Sequence, residues 1–186
     1  MATEPLDDPS LDPVDDIVGQ WARERPGVDV SGMSIIGRLS RLEKVIRPRL
    51  EEVFARHDLE SWEFDVLATL LRNGAPHQLT PGRLLDSMMI TSGAMTNRID
   101  RLERRGLVRR EKSPDDGRQV LVSLTAAGLE RVDSALVDHA ANERDIVDAL
   151  TSDQRDQLVE LLRLLLRSLA DPSPLDGRDR EQRPAR

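Results

Sequence analysis

A single short change of hydrophobic period most constrains the fold of this chain. Between residues 34 and 106, and again after residue 125, apolar residues recur every three to four positions, as in helices. Between these regions Val120, Val122 and Leu124 alternate with their neighbours, as in a strand. The preceding LVRREK and the turn-forming SPDDGR complete a β-hairpin. The sequence therefore predicts a mainly α-helical chain with one small β-hairpin.

Start and stop signals set the expected helix limits. Pro48 predicts a kink or a local break in the second helix. Ser61, Thr80 and Thr125 are expected N-caps, and Thr151 with Gln154 forms a capping box. The helices are expected at residues 14–25, 34–56, 61–73, 81–87, from 91 to Gly106, from 125 to about 150, and from 151 to about 169.

The order of these elements indicates a DNA-binding fold. A short helix, a second helix and then a hairpin are the final parts of a winged helix-turn-helix. In that fold the second helix of the helix-turn-helix lies in the DNA major groove, and the hairpin, or wing, reaches along the backbone or into the minor groove. The predicted fold class is thus mainly α with a small β-wing, a winged helix-turn-helix.

Charge is segregated along the chain. The sequence has 27 basic and 34 acidic residues and a net charge of −7. Residues 1–16 carry six acidic side chains and no basic one, whereas residues 91–118 carry eight basic and five acidic side chains, a balance of +3. The basic island coincides with the predicted recognition helix and wing, which favours contact with nucleic-acid phosphates.

Composition argues against several other classes of protein. The chain has no cysteine, which excludes disulfides and thiolate metal sites. It has neither a signal-peptide pattern nor an apolar run long enough to span a bilayer, so no membrane association is expected and the expected location is the cytoplasm. His57, His77 and His139 are isolated and form no metal-ligand or nucleophile pattern. No metal, cofactor or enzymatic activity is therefore expected.

The recognition helix has two distinct faces. Met95, Ile99 and Leu102 share the face that must pack inward. An ordinary solvated amphipathic helix would show the same pattern, but the basic hairpin downstream favours DNA binding. The start of the helix at Ser92 also offers backbone N–H groups to a phosphate. The outward face and its flanks hold Gly93, Thr96, Asn97, Asp100, Arg101 and Arg104.

Two segments resemble the MarR family of bacterial transcriptional regulators. DDGRQVLVSLT is similar to the family's wing signature, Asp-x-Arg-x-x-x-Val-x-Leu-Thr, matched at Asp116, Arg118, Val122, Leu124 and Thr125. SGAMTNRIDRLERRGLV is similar to the family's recognition helix and its exit into the wing. The resemblance covers about residues 33–169.

This resemblance implies a homodimer with one winged helix on each half of a pseudo-palindromic double-stranded DNA operator. It implies a DNA-binding lobe at about 59–125 and a helical dimerisation region formed by 33–56 and 125–169, while composition predicts disorder in 1–13 and 170–186. Arg118 would enter the minor groove and Asp116 would hold the wing in place. Ser92, Thr96, Asn97, Arg98 and Arg101 form the DNA-binding set on the recognition helix.

Arg98 also belongs to a possible effector site, since it lies on the margin of the recognition helix rather than at the centre of its outward face. Asp65 and Arg72 share the polar side of the preceding helix, about 10 Å apart along the axis. Trp21 lies on a short polar helix. Its ring can pack that helix against the rest of the protein, or it can cover a flat ligand. A plain solvated surface explains the charged pair equally well.

Trp21, Asp65, Arg72 and Arg98 together resemble the signature of the urate-responsive branch of the MarR family, which carries an extra N-terminal helix, here residues 14–26. The resemblance implies a small planar anion as effector, with urate as the type case. Trp21 would stack on its ring, Arg72 would bind its negative charge, Asp65 would be repelled, and Arg98 would transmit the change. The alternatives are a repressor of an efflux or stress gene that answers to phenolic or lipophilic compounds, and a winged helix that binds protein.

Overall fold

The computed structural model describes residues 11–88, 92–114 and 116–170. Of the segments expected to be disordered, residues 1–10 and 171–186 lie outside the described residues, while Pro13 and Ala170 are helical. Within the described residues the predicted order of helices and hairpin is confirmed. The helices are α1 (Pro13–Glu24), α2 (Ser31–Arg56), α3 (Ser61–Arg72), α4 (Pro81–Met88), α5 (Ser92–Arg104), α6 (Ala126–Ile146) and α7 (Ser152–Ala170), and the strands are β1 (Gln78–Leu79), β2 (Val108–Lys112) and β3 (Val120–Leu124).

Most predicted helix caps are confirmed. The hydroxyls of Thr80 and Thr125 each accept a backbone N–H from three residues further on, at 3.3 and 3.0 Å. Thr151 and Gln154 form the predicted reciprocal box, with N···O distances of 2.9 and 3.3 Å. These side chains satisfy N–H groups that the first turn of a helix leaves without a partner.

The cap predicted at Ser61 is wrong, and Pro48 does not break its helix. The N-cap of α3 is Glu60 rather than Ser61, because the Glu63 carboxylate accepts the Glu60 backbone N–H at 2.9 Å and extends the start of the helix by one residue. Of the kink or break predicted at Pro48, the break is absent, since α2 runs continuously through it. A proline removes one hydrogen bond and costs about 3 kcal/mol in a helix interior.

The wing is part of a three-stranded sheet rather than a two-stranded hairpin. β2 and β3 pair antiparallel as predicted, with Val108 opposite Leu124. β1 pairs with the other edge of β3, which gives the order β1-β3-β2. Ser123 is consequently buried, and its hydroxyl lies 3.4 Å from Gln78 Oε1. Val120, which the alternation predicted to face inward, is 40% exposed near the free end of the wing.

The hydrophobic core lies between α3, α4, α5, the sheet and the first half of α6. Met95, Ile99 and Leu102 are buried in it, as their spacing predicted, so the inner face of α5 is fixed. The core also contains the buried rings of Phe54 and Phe64 and other fully buried apolar side chains, among them Leu67, Leu70, Leu84, Val108, Val122 and Val132.

The chain divides into two compact units between residues 142 and 143, the second holding the end of α6 and all of α7. Each unit exposes large apolar side chains on its long helices. On α2 these are Ile35, Ile36, Leu42 and Val45, and on α7 they are Leu161, Leu164, Leu166 and Leu169. None of the helices in the described part of the chain is both long and apolar enough to cross a bilayer.

Candidate DNA-binding surface and effector site

The outward face of α5 carries the side chains expected to meet DNA. Thr96 and Asn97 are exposed, and Asp100 and Arg104 continue the same face. Ser92 is the first residue of the helix, at the end where backbone N–H groups point out of the first turn. Thr91 lies outside the described residues. The arrangement leaves a polar surface with amide, hydroxyl and guanidinium groups of the kind that contact phosphates and base edges.

Arg101 and Arg98 point toward α3 rather than straight outward. Arg101 Nη2 donates to Glu60 Oε1 at 2.5 Å, and its guanidinium lies 4.6 Å from the centroid of the Trp62 ring. The Arg98 guanidinium lies 5.5 Å from the same ring. Trp62 in turn donates from Nε1 to Glu60 Oε2 at 2.7 Å. Glu60 and Trp62 therefore hold two arginines that the sequence assigned to the DNA surface.

Sequence reasoning missed this role of Trp62, because its helical spacing with Val66 and Leu70 predicts that it lies on the buried side of α3. The side chain is only half-buried. A signal did exist, because Arg98, Arg101 and Arg105 recur at i, i+3 and i+7 and so share one side of a helix. What the spacing could not show is which neighbouring element that side faces.

An ion pair between a partly exposed arginine and a buried carboxylate holds the end of the recognition helix. Arg105 donates from Nη1 to the carboxylate of Glu63, which is only 1% exposed. Arg105 Nη2 also binds the backbone oxygen and the carboxylate of Asp58, each at 2.6 Å. Asp58 accepts a further bond from Arg131 of α6 at 2.7 Å, and these two arginines lower the pKa of its carboxyl, with Arg131 the larger cause. The network joins α5, the α2–α3 corner and α6.

The wing is held to α5 by charge as well. Arg110 on β2 forms salt bridges with Asp100 and Glu103 of α5. At the turn, Asp116 Oδ1 accepts the backbone N–H of Arg118 at 3.0 Å, and the Arg118 side chain is exposed. The Asp116 carboxylate thus stabilises the turn from which the Arg118 side chain extends.

Asp65, Arg72 and Arg98 are brought together electrostatically. Burial raises the pKa of the Asp65 carboxyl above its usual value, and the positive charges of Arg98 and Arg72 act against that shift, with a smaller contribution from His139. Asp65 of α3 is therefore coupled electrostatically to Arg72 of the same helix and to Arg98 of α5.

Trp21 is the fourth residue of the predicted effector site, and within one chain it lies far from the other three. α1 packs against the first half of α2, since Arg38 of α2 binds Asp12 and Asp15 at 2.8 and 2.7 Å. The connection from α1 to α2 turns back at residue 25, where the Val28 N–H bonds to the Arg25 carbonyl at 3.0 Å, so Trp21 lies toward the start of α2. It is 45% exposed there.

Asp65 lies at the opposite end of α2. Phe54, near the end of that helix, stacks on Phe64 with ring centroids 4.4 Å apart, and Asp65 is the next residue. Residues 38 and 54 are separated by 16 helical positions, about 24 Å at 1.5 Å per residue. Within a single chain, the aromatic part of the predicted site, Trp21, is therefore at the opposite end of α2 from its charged part at Asp65.

Each of the three histidines contacts other parts of the folded chain. His57 Nε2 lies 2.9 Å from Asp138 Oδ2, and His77 Nδ1 lies 3.2 Å from the Leu71 carbonyl oxygen. The His139 ring packs against the two phenylalanines at 5.0 Å from each. Over the residues that the structure describes, no group of three or more histidine and acidic side chains is arranged to hold a metal ion.

Comparison with known proteins gives one consistent result. The sequence profile of the MarR family matches residues 57–119. The HTH-type transcriptional regulator PecS of Dickeya dadantii (strain 3937) is 40% identical over 149 residues, which cover 80% of this chain and 90% of that protein. The HTH-type transcriptional repressor YetL of Bacillus subtilis (strain 168) is 24% identical over 78% of this chain and 86% of its own length.

Solved structures agree with this result. A mutant of MarR from E. coli, crystallised with operator DNA, superposes with a TM-score of 0.63 at 26% identity, covering 78% of this chain and 97% of that one. AbsC from Streptomyces coelicolor superposes with a TM-score of 0.68 over 77% of this chain and 97% of its own, at 21% identity, a level that supports the fold alone.

Proposed function

The chain belongs to the MarR family of helix-turn-helix transcriptional regulators, and on that premise we propose that it is a repressor released from its operator by a small planar anion such as urate. The relatives it matches are transcriptional regulators rather than enzymes. The observation that carries the DNA-binding part of the proposal is the exposed polar face of α5, which lies beside a wing that salt bridges hold against it.

The proposed unit of DNA binding is a homodimer on a pseudo-palindromic site. The exposed apolar side chains of α2, and separately those of α7, are the surfaces that a second copy would cover. Leucines and isoleucines at 54–75% exposure are unfavourable in water, and burying them in an interface stabilises the dimer. Two recognition helices then enter successive major grooves, and the wings reach the flanking minor grooves. We assign dimerisation to residues 33–56 and 125–169 and DNA binding to about 59–125.

Replacing Arg118 with alanine is expected to lower operator affinity about tenfold, because one guanidinium contact in a groove is worth about 1–3 kcal/mol. The measurement is fluorescence anisotropy of a labelled operator at several salt concentrations, in which log K should fall with log salt by about 0.9 per phosphate contacted. Arg23→Ala, on α1, is the matched control and should bind as tightly as the unmodified protein. Binding that does not depend on salt would contradict the assignment of this surface to DNA.

The proposed effector site is centred on Asp65, Arg72 and Arg98. The two arginines supply positive charge that acts on the Asp65 carboxyl, whose pKa is raised by burial. An incoming planar anion binds the guanidinium groups and repels Asp65, which moves the margin of the recognition helix. Because both half-sites must fit the DNA at once, a small displacement of each helix is sufficient to weaken binding.

Trp21 completes this site only if a second copy supplies it. Within one chain it lies at the far end of α2 from Asp65, whereas stacking on a flat ligand requires van der Waals contact. Its exposed ring lies on α1, close to the start of α2, near where the apolar surface of that helix begins. We therefore assign Trp21 of the partner subunit to each effector site.

Arg72→Ala and Trp21→Ala are each expected to abolish release of the operator by urate while leaving operator affinity within about threefold. A mixed dimer of one Trp21→Ala chain and one Arg72→Ala chain tests the sharing of the site. If Trp21 acts across the dimer, one site in the mixed dimer is intact and one urate binds, as measured by calorimetry on differentially tagged, co-purified chains. If Trp21 acted within its own chain, the mixed dimer would bind none.

The same titration separates this proposal from its nearest alternative. A repressor that answers to phenolic compounds should release the operator with salicylate-like phenols and ignore urate, and its response should survive Arg72→Ala. Release by urate that persists in both single variants would remove the site assignment while leaving the DNA-binding function intact.

A further inference from the structure

One aromatic side chain is shared by two arginines of the recognition helix. The Trp62 ring lies 5.5 Å from the Arg98 guanidinium and 4.6 Å from that of Arg101. Glu60 accepts hydrogen bonds from both Trp62 and Arg101, at 2.7 and 2.5 Å. The start of α3 therefore holds Arg98 and Arg101 as one connected group rather than as two independent side chains.

Arg98 interacts with two residues of α3. One is Trp62, whose ring centroid lies 5.5 Å from the Arg98 guanidinium, and the other is Asp65, on whose carboxyl the charges of Arg98 and Arg72 act. If an anion beside Arg72 draws the Arg98 guanidinium toward it, the cation–π interaction of Arg98 with Trp62 is lost, because that interaction acts only within about 6 Å of the ring centroid. Of the two arginines, only Arg101 then contacts the Trp62 ring, and the bond from Arg101 to Glu60 limits how far the Arg101 side chain can move.

We propose that Trp62 is the positioning residue that couples the effector site to the recognition helix, by passing a displacement of Arg98 to the Arg101–Glu60 pair. This inference rests on the proposed effector site. It adds a residue outside that site, and it assigns Trp62 a role in transmission rather than in binding the anion. Loss of Trp62 should therefore remove the effect of urate on operator binding while leaving urate affinity intact, whereas a defective binding site would lose both.

The first test measures coupling in the full-length dimer with Trp62→Leu. Saturating urate should raise the operator Kd of the unmodified protein by a factor in the range typical of allosteric coupling, about 5–150. In Trp62→Leu that factor should fall to about 2 or less, while the urate Kd of the DNA-free protein stays within about threefold. A coupling factor unchanged from that of the unmodified protein would overturn the proposal, as would a loss of urate binding that equals that of Arg72→Ala.

Two further variants separate the ring from its N–H group. Trp62→Phe keeps an aromatic face and loses the bond to Glu60, and it should retain most of the coupling. Glu60→Gln keeps the ring and weakens its ion pair with Arg101, so it should reduce the coupling factor without changing the urate Kd. Full coupling in Glu60→Gln would show that the path does not run through Arg101.

A second measurement needs no effector and no substitution at Trp62. The sequence has two tryptophans, so Trp21→Phe leaves Trp62 as the only one. Its emission should change when operator is added, and Arg98→Ala and Arg101→Ala should each alter the starting spectrum. Emission that stays constant on operator binding would overturn the relay. If urate proves to have no effect on operator binding in the unmodified protein, the proposed effector fails, and this measurement still decides whether Trp62 is linked to the DNA surface.

Discussion

Replacing Gly128 with alanine is expected to prevent folding, or to lower the free energy of unfolding by more than about 4 kcal/mol, a loss that few single substitutions cause. A Cβ atom at this position would lie 1.9 Å from the carbonyl oxygen of Leu107. That oxygen cannot move aside freely, because it already accepts the Thr125 backbone N–H at 3.1 Å. The close approach joins the start of α6 to the beginning of β2, so the clash would separate the long helix from the wing.

Urea denaturation followed by circular dichroism measures this effect. Gly32→Ala on α2 is the control, because no atom lies within 4 Å of a Cβ built there. That variant should be as stable as the unmodified protein or slightly more so, since alanine has the higher helix propensity. A Gly128→Ala protein whose unfolding midpoint matches that of the Gly32→Ala control would contradict the packing of α6 described above.

Replacing Arg105 with alanine is expected to cost about 3–5 kcal/mol, because removing one partner leaves a buried carboxylate without its counter-charge. Glu63 is 1% exposed, and its Oε1 atom has no hydrogen-bond partner among the described residues even with Arg105 in place. The same change also releases Asp58 from α5. The end of the recognition helix then loses its link to the α2–α3 corner, so operator affinity should fall together with stability.

A neighbouring arginine provides the control for this prediction. Arg104 is exposed, and its Nε donates to the Asp100 backbone oxygen at 3.3 Å, so Arg104→Ala should change stability by no more than about 0.5 kcal/mol. Removing both charges, with Glu63→Gln and Arg105→Met together, should recover part of the loss, because the unpaired buried charge is then absent. Equal losses in Arg104→Ala and Arg105→Ala would show that burial of the Glu63 carboxylate is not the cause.

Features that depend on neighbours in the sequence were predicted well. The inward face of α5, through Met95, Ile99 and Leu102, follows from helical spacing, and the caps at Thr125 and Thr151 follow from local hydrogen bonding. These features need only residues three or four positions apart. They were sufficient to define the order of helices and wing, and with it the fold class.

Features that depend on distant residues were missed or wrong. β1 has only two residues, too few to show an alternating pattern, and it forms because β3, more than 40 residues later, offers an unpaired edge. The helix continues through Pro48 although proline removes one of its hydrogen bonds. Helix propensity and hydrophobic periodicity carry no information about the pairing of β1 with β3 or about the tertiary surroundings of Pro48.

The sequence by itself determined that this chain is a winged helix-turn-helix regulator and where its basic island lies, because hydrophobic spacing, cap residues and charge are local properties. The tertiary structure alone decided which arginines within that island are engaged. Arg105 and Arg110 form salt bridges, Arg98 and Arg101 meet Trp62, and Trp21 lies at the other end of α2 from Asp65. Those pairings depend on how α3, α5 and the wing face one another, which is set by the shape of the core between them.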